Sequence, residues 1–223
     1  MSIYEVWTEK YRPQSLDDIA GHSITINKIK QNVAVRNITN WILKGPAGTG
    51  KTSCVYAIAY AIYGKGNLNG NFKEINASSK KNRGIDMVET DIIPFAKHRP
   101  IFMSSPFRLL FLEEADQLTI DAQAALRRTM EKYTNNCRFI LAVNNVDKII
   151  DPIRSRCTEF PFNSIKTDIL VRTLKAIASN ENLKFSENQY SSIAERVNGD
   201  LRKATNILQN MQVDQSDYGG VFG

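Results

Sequence analysis

The chain has 223 residues, 42% of them hydrophobic, and a formal net charge of +6. That is enough for a full core plus a small second unit, and no apolar stretch approaches the roughly 20 residues of a membrane span. Cys54, Cys137 and Cys157 fit neither a metal spacing nor a disulfide framework, and the start, Met1 to Glu5, has no signal-peptide pattern, so reduced thiols in an intracellular protein are expected, with a mild positive charge that suits a polyanionic partner.

In chain order, the first strong signal is the apolar run Trp41-Ile42-Leu43, followed by Gly45-Pro46-Ala47-Gly48-Thr49-Gly50-Lys51-Thr52 and the helical stretch Ser53 to Tyr63. This is the phosphate-binding pattern G-x-x-x-x-G-K-[ST] in its strand–loop–helix setting. Its glycines let successive amides face phosphate oxygens, and the helix adds its positive N-terminal end. Lys51 is placed to reach the β- and γ-phosphates, and the Thr52 hydroxyl to hold magnesium. A plain Gly-rich turn is the alternative, and it leaves the lysine and threonine in register unexplained.

Phe72-Lys73-Glu74-Ile75 reads as a strand ending at Asn76, a residue that also suits a turn or helix cap. Lys80, Lys81 and Arg83 precede a helix that begins near Ile85, and Ile92 to Met103 is apolar enough to face a partner, with core packing as the alternative. Leu109-Leu110-Phe111-Leu112 is a strand closing on Glu113-Glu114-Ala115-Asp116. A nucleotide hydrolase needs one carboxylate to steady the magnesium and a second to polarise the attacking water. Glu113 takes the metal side and Glu114 the water side; acids that merely cap the next helix are the alternative. Asp121 to Glu131 carries the apolar stripe Ala122, Leu126 and Met130, continued by Tyr133, with Arg127 and Arg128 beside it. Phe139 to Val143 is a further strand, ending at Asn144, which with Asn145 also reads as a turn.

Up to about Phe162, short apolar strands alternate with helices, which predicts an α/β fold with a parallel sheet flanked by helices. Beyond it the pattern is all-helical: Ile169, Leu170, Thr173, Leu174 and Ile177 share one face, and Leu201, Ala204, Leu208 and Met211 another. Residues 1–162 therefore read as a nucleotide-binding core, 163–213 as a small helical domain, and the polar, Gly-rich 214–223 as a flexible end.

Several segments together resemble a small subunit of replication factor C, the sliding-clamp loader of the AAA+ ATPases. They are Trp7 to Pro13, the phosphate loop, Asn76-Ala77-Ser78 with Arg83-Gly84-Ile85, Glu113 to Asp116, Asp121 to Glu131, Ser155-Arg156-Cys157 and Gly199 to Ala204. The resemblance spans nearly the whole chain. Its most specific pieces are Glu9-Lys10-Tyr11-Arg12-Pro13, the Ala125 to Glu131 helix and the Ser-Arg-Cys triplet.

The resemblance implies a P-loop AAA+ core followed by a helical lid, with ATP and magnesium as cofactors. It implies as partners the other subunits of a pentameric clamp loader, the sliding clamp and primer–template DNA, and no membrane. The location would be the nucleus in a eukaryote and the cytoplasm in an archaeon. Thr8, Tyr11, Arg12 and Ala20 are implied around the adenine and ribose, and Ser53 beside the loop. Asn144 is implied as a sensor that orients water or touches the γ-phosphate, and Arg202 as a second sensor reaching from the lid. Arg156 is implied as an arginine finger acting in trans on a neighbour's ATP; a surface arginine paired with Glu159 or Asp151 is the alternative. The catalytic set is thus Glu114, Lys51, Asn144 and Arg156. Asn76 is implied as a switch that holds Glu114 away until DNA is engaged. Lys80, Lys81, Arg83 and Arg127 are implied as contacts to DNA phosphates, sequence-independent and salt-sensitive; a solvated basic face, or for Arg127 a bridge to the core or another subunit, is the alternative.

The chain departs from the family pattern at several points. Glu113 stands where an aspartate is usual, one methylene longer, and so crowds a magnesium shell that tolerates little distortion. The loop around Ser79 to Arg83 is longer and more basic than usual, and Glu89 stands where a basic residue is common. No collar domain follows the lid, so weaker assembly is expected. Three functions are consistent with this pattern: a loader subunit that uses hydrolysis as a timer, a structural subunit that binds ATP with little turnover, and another DNA-acting motor such as a branch-migration helicase. The Glu-Lys-Tyr-Arg-Pro and Ser-Arg-Cys segments argue against the last.

Overall fold

The computed structural model describes residues 5–79, 83–100 and 106–218, the last six as backbone only. Lys80 and Lys81, and Ile101 to Met103 of the candidate partner surface, lie outside the described residues. From the N-terminus, α1 (Trp7–Lys10) and α2 (Ser23–Ala34) lead to β1 (Asn40–Lys44) and α3 (Lys51–Tyr63). β2 (Phe72–Asn76) is followed by one continuous helical stretch: α4 (Ile85–Met87), a π-helical turn (Val88–Ile92) and α5 (Ile93–Lys97). Pro94, which has no N–H to return to the preceding turn, sits just past the widened segment. β3 (Arg108–Glu113), α6 (Ile120–Lys132), β4 (Cys137–Val143), α7 (Asp151–Arg154) and β5 (Cys157–Pro161) complete the first domain. α8 (Thr167–Asn180), α9 (Glu187–Arg196) and α10 (Leu201–Tyr218) form the lid. The segment expected to be loose from residue 214 is thus helical as far as Tyr218, and residues 219–223 lie outside the described residues.

The strands pair in parallel in the order β2-β3-β4-β1-β5. The central strands of a parallel sheet are covered on both faces, so β1, β3 and β4 are apolar along successive positions, not at alternate ones. The side-chain alternation then sorts each strand between two cores. Trp41, Leu43, Leu109, Phe111, Ile140 and Ala142 face α2 and α3. Ile42, Leu110, Leu112, Phe139, Leu141 and Val143 face α6 and the α4–α5 stretch. Each such fully buried side chain is worth about 1.5–3 kcal/mol relative to exposure. On the second face, Ile92 and Ala96 are buried and Phe95 packs under Arg108, whose guanidinium lies 5.0 Å from the ring centroid. Ile92, Phe95 and Ala96 of the candidate partner surface are therefore core packing, whereas Pro94 is exposed.

α6 starts where Thr119 Oγ1 accepts the amide of Ala122 at 3.2 Å, and it buries Ala122, Leu126 and Met130 one turn apart. Gln123 lies among them, 2% exposed. Its Nε2 donates to the carbonyls of Leu118 (3.2 Å) and Lys148 (2.9 Å), and its Oε1 accepts from Ile150 N at 2.9 Å. It bolts α6 to the chain between β4 and α7. Gln123→Leu strands three backbone groups in the core and is expected to lower unfolding free energy by about 2–4 kcal/mol in urea titration.

The lid has its own core of Leu170, Leu174, Ala178, Ile193, Ala204 and Leu208, and Trp7 is part of it. Trp7 N donates to Gln209 Oε1 at 3.0 Å, and Gln209 Nε2 donates to Glu5 O at 3.0 Å. Sequence position places residues 5–11 with the core domain; packing places them in the lid.

Candidate nucleotide site

The strand register lines up the C-terminal edge of the sheet: Asn76 pairs with Glu113 and Lys44 with Val143. The phosphate loop leaves β1 at this edge, where open parallel sheets bind their ligands. One cleft there is lined by Thr8, Tyr11, Arg12, Ala20, Ala47 to Ser53, Glu113, Glu114, Asn144 and Arg202. The fold thus brings together the adenine segment, the loop, both acids and both sensors expected from sequence. Gly45 and Pro46 form the base of the loop, with their carbonyls turned to Lys51.

Lys51 is buried, and its Nζ donates to Gly45 O (2.5 Å), Pro46 O (2.7 Å) and Asn144 Oδ1 (3.1 Å). Burial pushes its amine down to about 8, against the opposing pull of Asp116 and Glu113. Thr52 Oγ1 donates to Glu113 Oε1 at 2.5 Å. This sets two hard oxygen donors side by side, which fits a magnesium ion that keeps water and phosphate oxygens as its other ligands. Among the described residues there is no group of three or more His, Cys, Asp or Glu that could hold a metal ion.

Asn76 is placed differently from its expected role. Its Nδ2 donates to Glu113 Oε2 at 3.0 Å, and its Oδ1 accepts from Ser78 N at 2.8 Å. The cause is register: Asn76 and Glu113 are lateral partners in a parallel pair, and lateral partners share a face. Glu114 is one residue further on, in a left-handed backbone (φ 53) that turns it away from the strand. Asn76 thus meets Glu113, the carboxylate that Thr52 also meets, in place of Glu114.

Arg156 lies outside the cleft. It pairs with Glu131 at 2.7 Å and donates to Pro152 O at 2.8 Å, in place of the Glu159 or Asp151 pairing weighed from sequence. Glu159 is taken by Lys44 (2.7 Å) and Arg154 (3.0 Å), and Glu131 also lies 3.5 Å from Arg127. Arg83 is exposed, and its carbonyl accepts from Thr119 N at 2.9 Å, which sets the start of α4 beside the start of α6.

Several site residues carry no local sequence signal. Ile165, Thr173, Ile177 and Thr205 line the cleft from the lid; Thr173 and Ile177 read from sequence as core stripe. The hydroxyls of Thr173 and Thr205 donate to carbonyls four residues back (both 2.9 Å), so they are not free to donate to a ligand. His22 Nε2 donates to Thr49 O at 3.0 Å, and its ring lies 4.8 Å from that of Phe162. Glu181 holds the end of α1 to the lid, accepting from Tyr11 OH at 2.5 Å and pairing with Lys10 at 2.7 Å.

Burial raises the Glu181 carboxyl, but hydrogen bonds from Lys10 and Tyr11 outweigh it and hold the group below its ordinary range. A depressed acid stabilises the fold above its unfolded pKa, and that contribution is lost as pH falls through the folded value. Acidification below the ordinary glutamate range is therefore expected to loosen α1 from the lid, read as a red shift of Trp7 emission, and Glu181→Gln to give a shifted spectrum already at pH 7.

A family model described as the ATPase family associated with various cellular activities (AAA) matches residues 41–164, and one described as an RCF1/5-like AAA+ ATPase lid domain matches residues 172–213. A protein of Methanosarcina barkeri named replication factor C small subunit is 45% identical over 205 residues, covering 92% of this chain and 60% of its own. Proteins of the same name from Haloarcula marismortui (44% over 220 residues, 98% and 66%) and Archaeoglobus fulgidus (44% over 209 residues, 94% and 64%) are similar to it as well. The chain thus spans 60–66% of the length of these relatives. In fold it resembles the Thermotoga maritima RuvB Holliday junction branch migration motor (TM-score 0.74, 20% identity, 94% of this chain and 67% of that one). Sheet, loop and lid agree with these matches, and the chain belongs to the ATPase family associated with various cellular activities.

Proposed function

We propose that this chain is an ATP-hydrolysing subunit of a replication factor C clamp loader, which joins other subunits around a sliding clamp and primer–template DNA. The observation that carries the reading is the convergence of Lys51, Thr52, Glu113, Glu114 and Asn144 on one cleft, in a chain whose relatives bear that name. Lys51 exchanges its bonds to the loop carbonyls for the β- and γ-phosphates. Magnesium held by Thr52 and Glu113 would neutralise charge on the phosphate oxygens. Glu114 draws the proton from the attacking water, and Asn144 orients that water. Arg202 reaches the same cleft from α10, which couples lid angle to the nucleotide. Arg156, exposed and outside its own cleft, leaves Glu131 to meet the phosphates of a neighbouring subunit. Arg83 and Arg127 contact DNA phosphates.

A second reading, a subunit that holds ATP with little turnover, is favoured by one observation: both oxygens of Glu113 are already bonded, to Thr52 and Asn76. ATP turnover in the loader with clamp and primed DNA decides between them, with native Glu113 compared with Glu113→Asp. Turnover by the native chain that needs clamp and DNA together bears out the first reading. Binding without hydrolysis until the substitution is made establishes the second. Stimulation by DNA alone with translocation overturns both.

A further inference from the structure

Asp116 is a buried carboxylate, 6% exposed, in the short turn Ala115–Gln117 just past Glu114. None of the roles assigned above uses it. Its two oxygens reach across to the end of β4: Oδ1 accepts from Asn144 N at 3.2 Å and Oδ2 from Asn145 N at 3.3 Å. A buried charge requires such compensation, and two successive amides aimed at one carboxylate form an anion-binding concavity. The two asparagine side chains then diverge. Asn145 Oδ1 accepts from Asp147 N at 2.9 Å and caps the following turn. Asn144 Oδ1 accepts from Lys51 Nζ at 3.1 Å. An ammonium only donates, so the oxygen of Asn144 must face Lys51 and the amide nitrogen must face elsewhere in the cleft that Asn144 lines.

We propose that Asp116 is a positioning residue for ATP hydrolysis: it clamps the backbone of Asn144 and Asn145 so that the Asn144 amide nitrogen is aimed at the γ-phosphate or its attacking water. This deepens, and rests on, the hydrolytic reading given above. Asp116 is not among the residues that line the cleft and acts on hydrolysis through Asn144; its charge also favours the Lys51 ammonium, an effect that Asp116→Glu keeps and so separates from the positioning role.

Asp116→Asn keeps the shape but turns one acceptor into an NH2 group that faces an amide N–H. Within the assembled loader, kcat is expected to fall about ten- to a hundredfold with nucleotide affinity nearly unchanged. Amide hydrogen exchange at Asn144 and Asn145 is expected to quicken by about tenfold or more. The discriminating comparison is made in an Asn144→Ala background, where adding Asp116→Asn is expected to cost no further turnover. A full multiplicative loss there, or unchanged exchange at the two amides, overturns the proposal. If Asp116→Asn fails to fold, Asp116→Glu, which keeps the charge but displaces it by one methylene, serves in both comparisons. A native chain without turnover defeats the hydrolytic reading, while the exchange comparison still decides whether Asp116 holds the sensor.

Discussion

Gly45→Ala is expected to cost at least ~3 kcal/mol of stability and to abolish nucleotide binding with it. Gly45 has φ 150, and a Cβ built there would lie 1.8 Å from the carbonyl oxygen of Phe162 and 2.7 Å from its carbon. Both are backbone atoms and cannot swing aside. The Phe162 backbone is fixed by its own bond to Lys44 O (2.7 Å), and Gly45 N by its bond to Val143 O (3.1 Å). The loop must therefore leave β1 or the crossing to the lid must move. Gly48 offers a control in the same loop, because its Cβ would meet a side chain, Asp200 Oδ1, at 1.8 Å. Asp200 can rotate, at the loss of its 2.9 Å bond from Lys203 N. Gly48→Ala is therefore expected to loosen the lid while leaving the sheet intact. Urea unfolding and titration with a fluorescent ATP analogue, run on both variants, would refute this account if the two behaved alike.

Lys51→Met separates binding from stability. The ammonium is buried and its pKa lowered to about 8, so the fold bears a desolvation cost to keep a charge there. Methionine fills a similar shape without that cost, and the acceptors left behind on Gly45, Pro46 and Asn144 offset the relief. Thermal midpoint is expected to move little. Affinity for ATP is expected to fall by about a hundredfold or more, from the loss of charge-assisted bonds to phosphate worth ~1.5–3 kcal/mol each. Calorimetric titration and thermal melts on one preparation check both halves. A collapsed midpoint would make Lys51 a structural brace for the loop.

The parts legible in the sequence are those set by local pattern. The runs Trp41 to Leu43, Leu109 to Leu112 and Phe139 to Val143 had to be buried strands, and the loop between β1 and α3 had to follow one of them. The lid stripes in α8 and α10 follow from helical spacing. What stayed illegible depends on register and long-range packing. β5 is a short edge strand with alternating exposure and a terminal proline, too weak a pattern to read. Asn76 could be placed at a strand end, but only the pairing with Glu113 says which acid it meets. Asp116, Gln123 and Glu181 bond to groups 28, 27 and 170 residues away respectively, and no window of sequence contains both partners.

The contact between Trp7 and Gln209 spans 202 positions, and this bears on how the chain is made. Trp7 leaves the ribosome 202 positions ahead of its partner Gln209 in α10. At about 5–20 residues per second it waits about 10–40 s with its ring in water. During that interval the sheet can close behind it while the aromatic side chain remains a sticky, unsatisfied end. A chaperone that binds nascent apolar segments would find this one available throughout synthesis and hidden once the lid is finished.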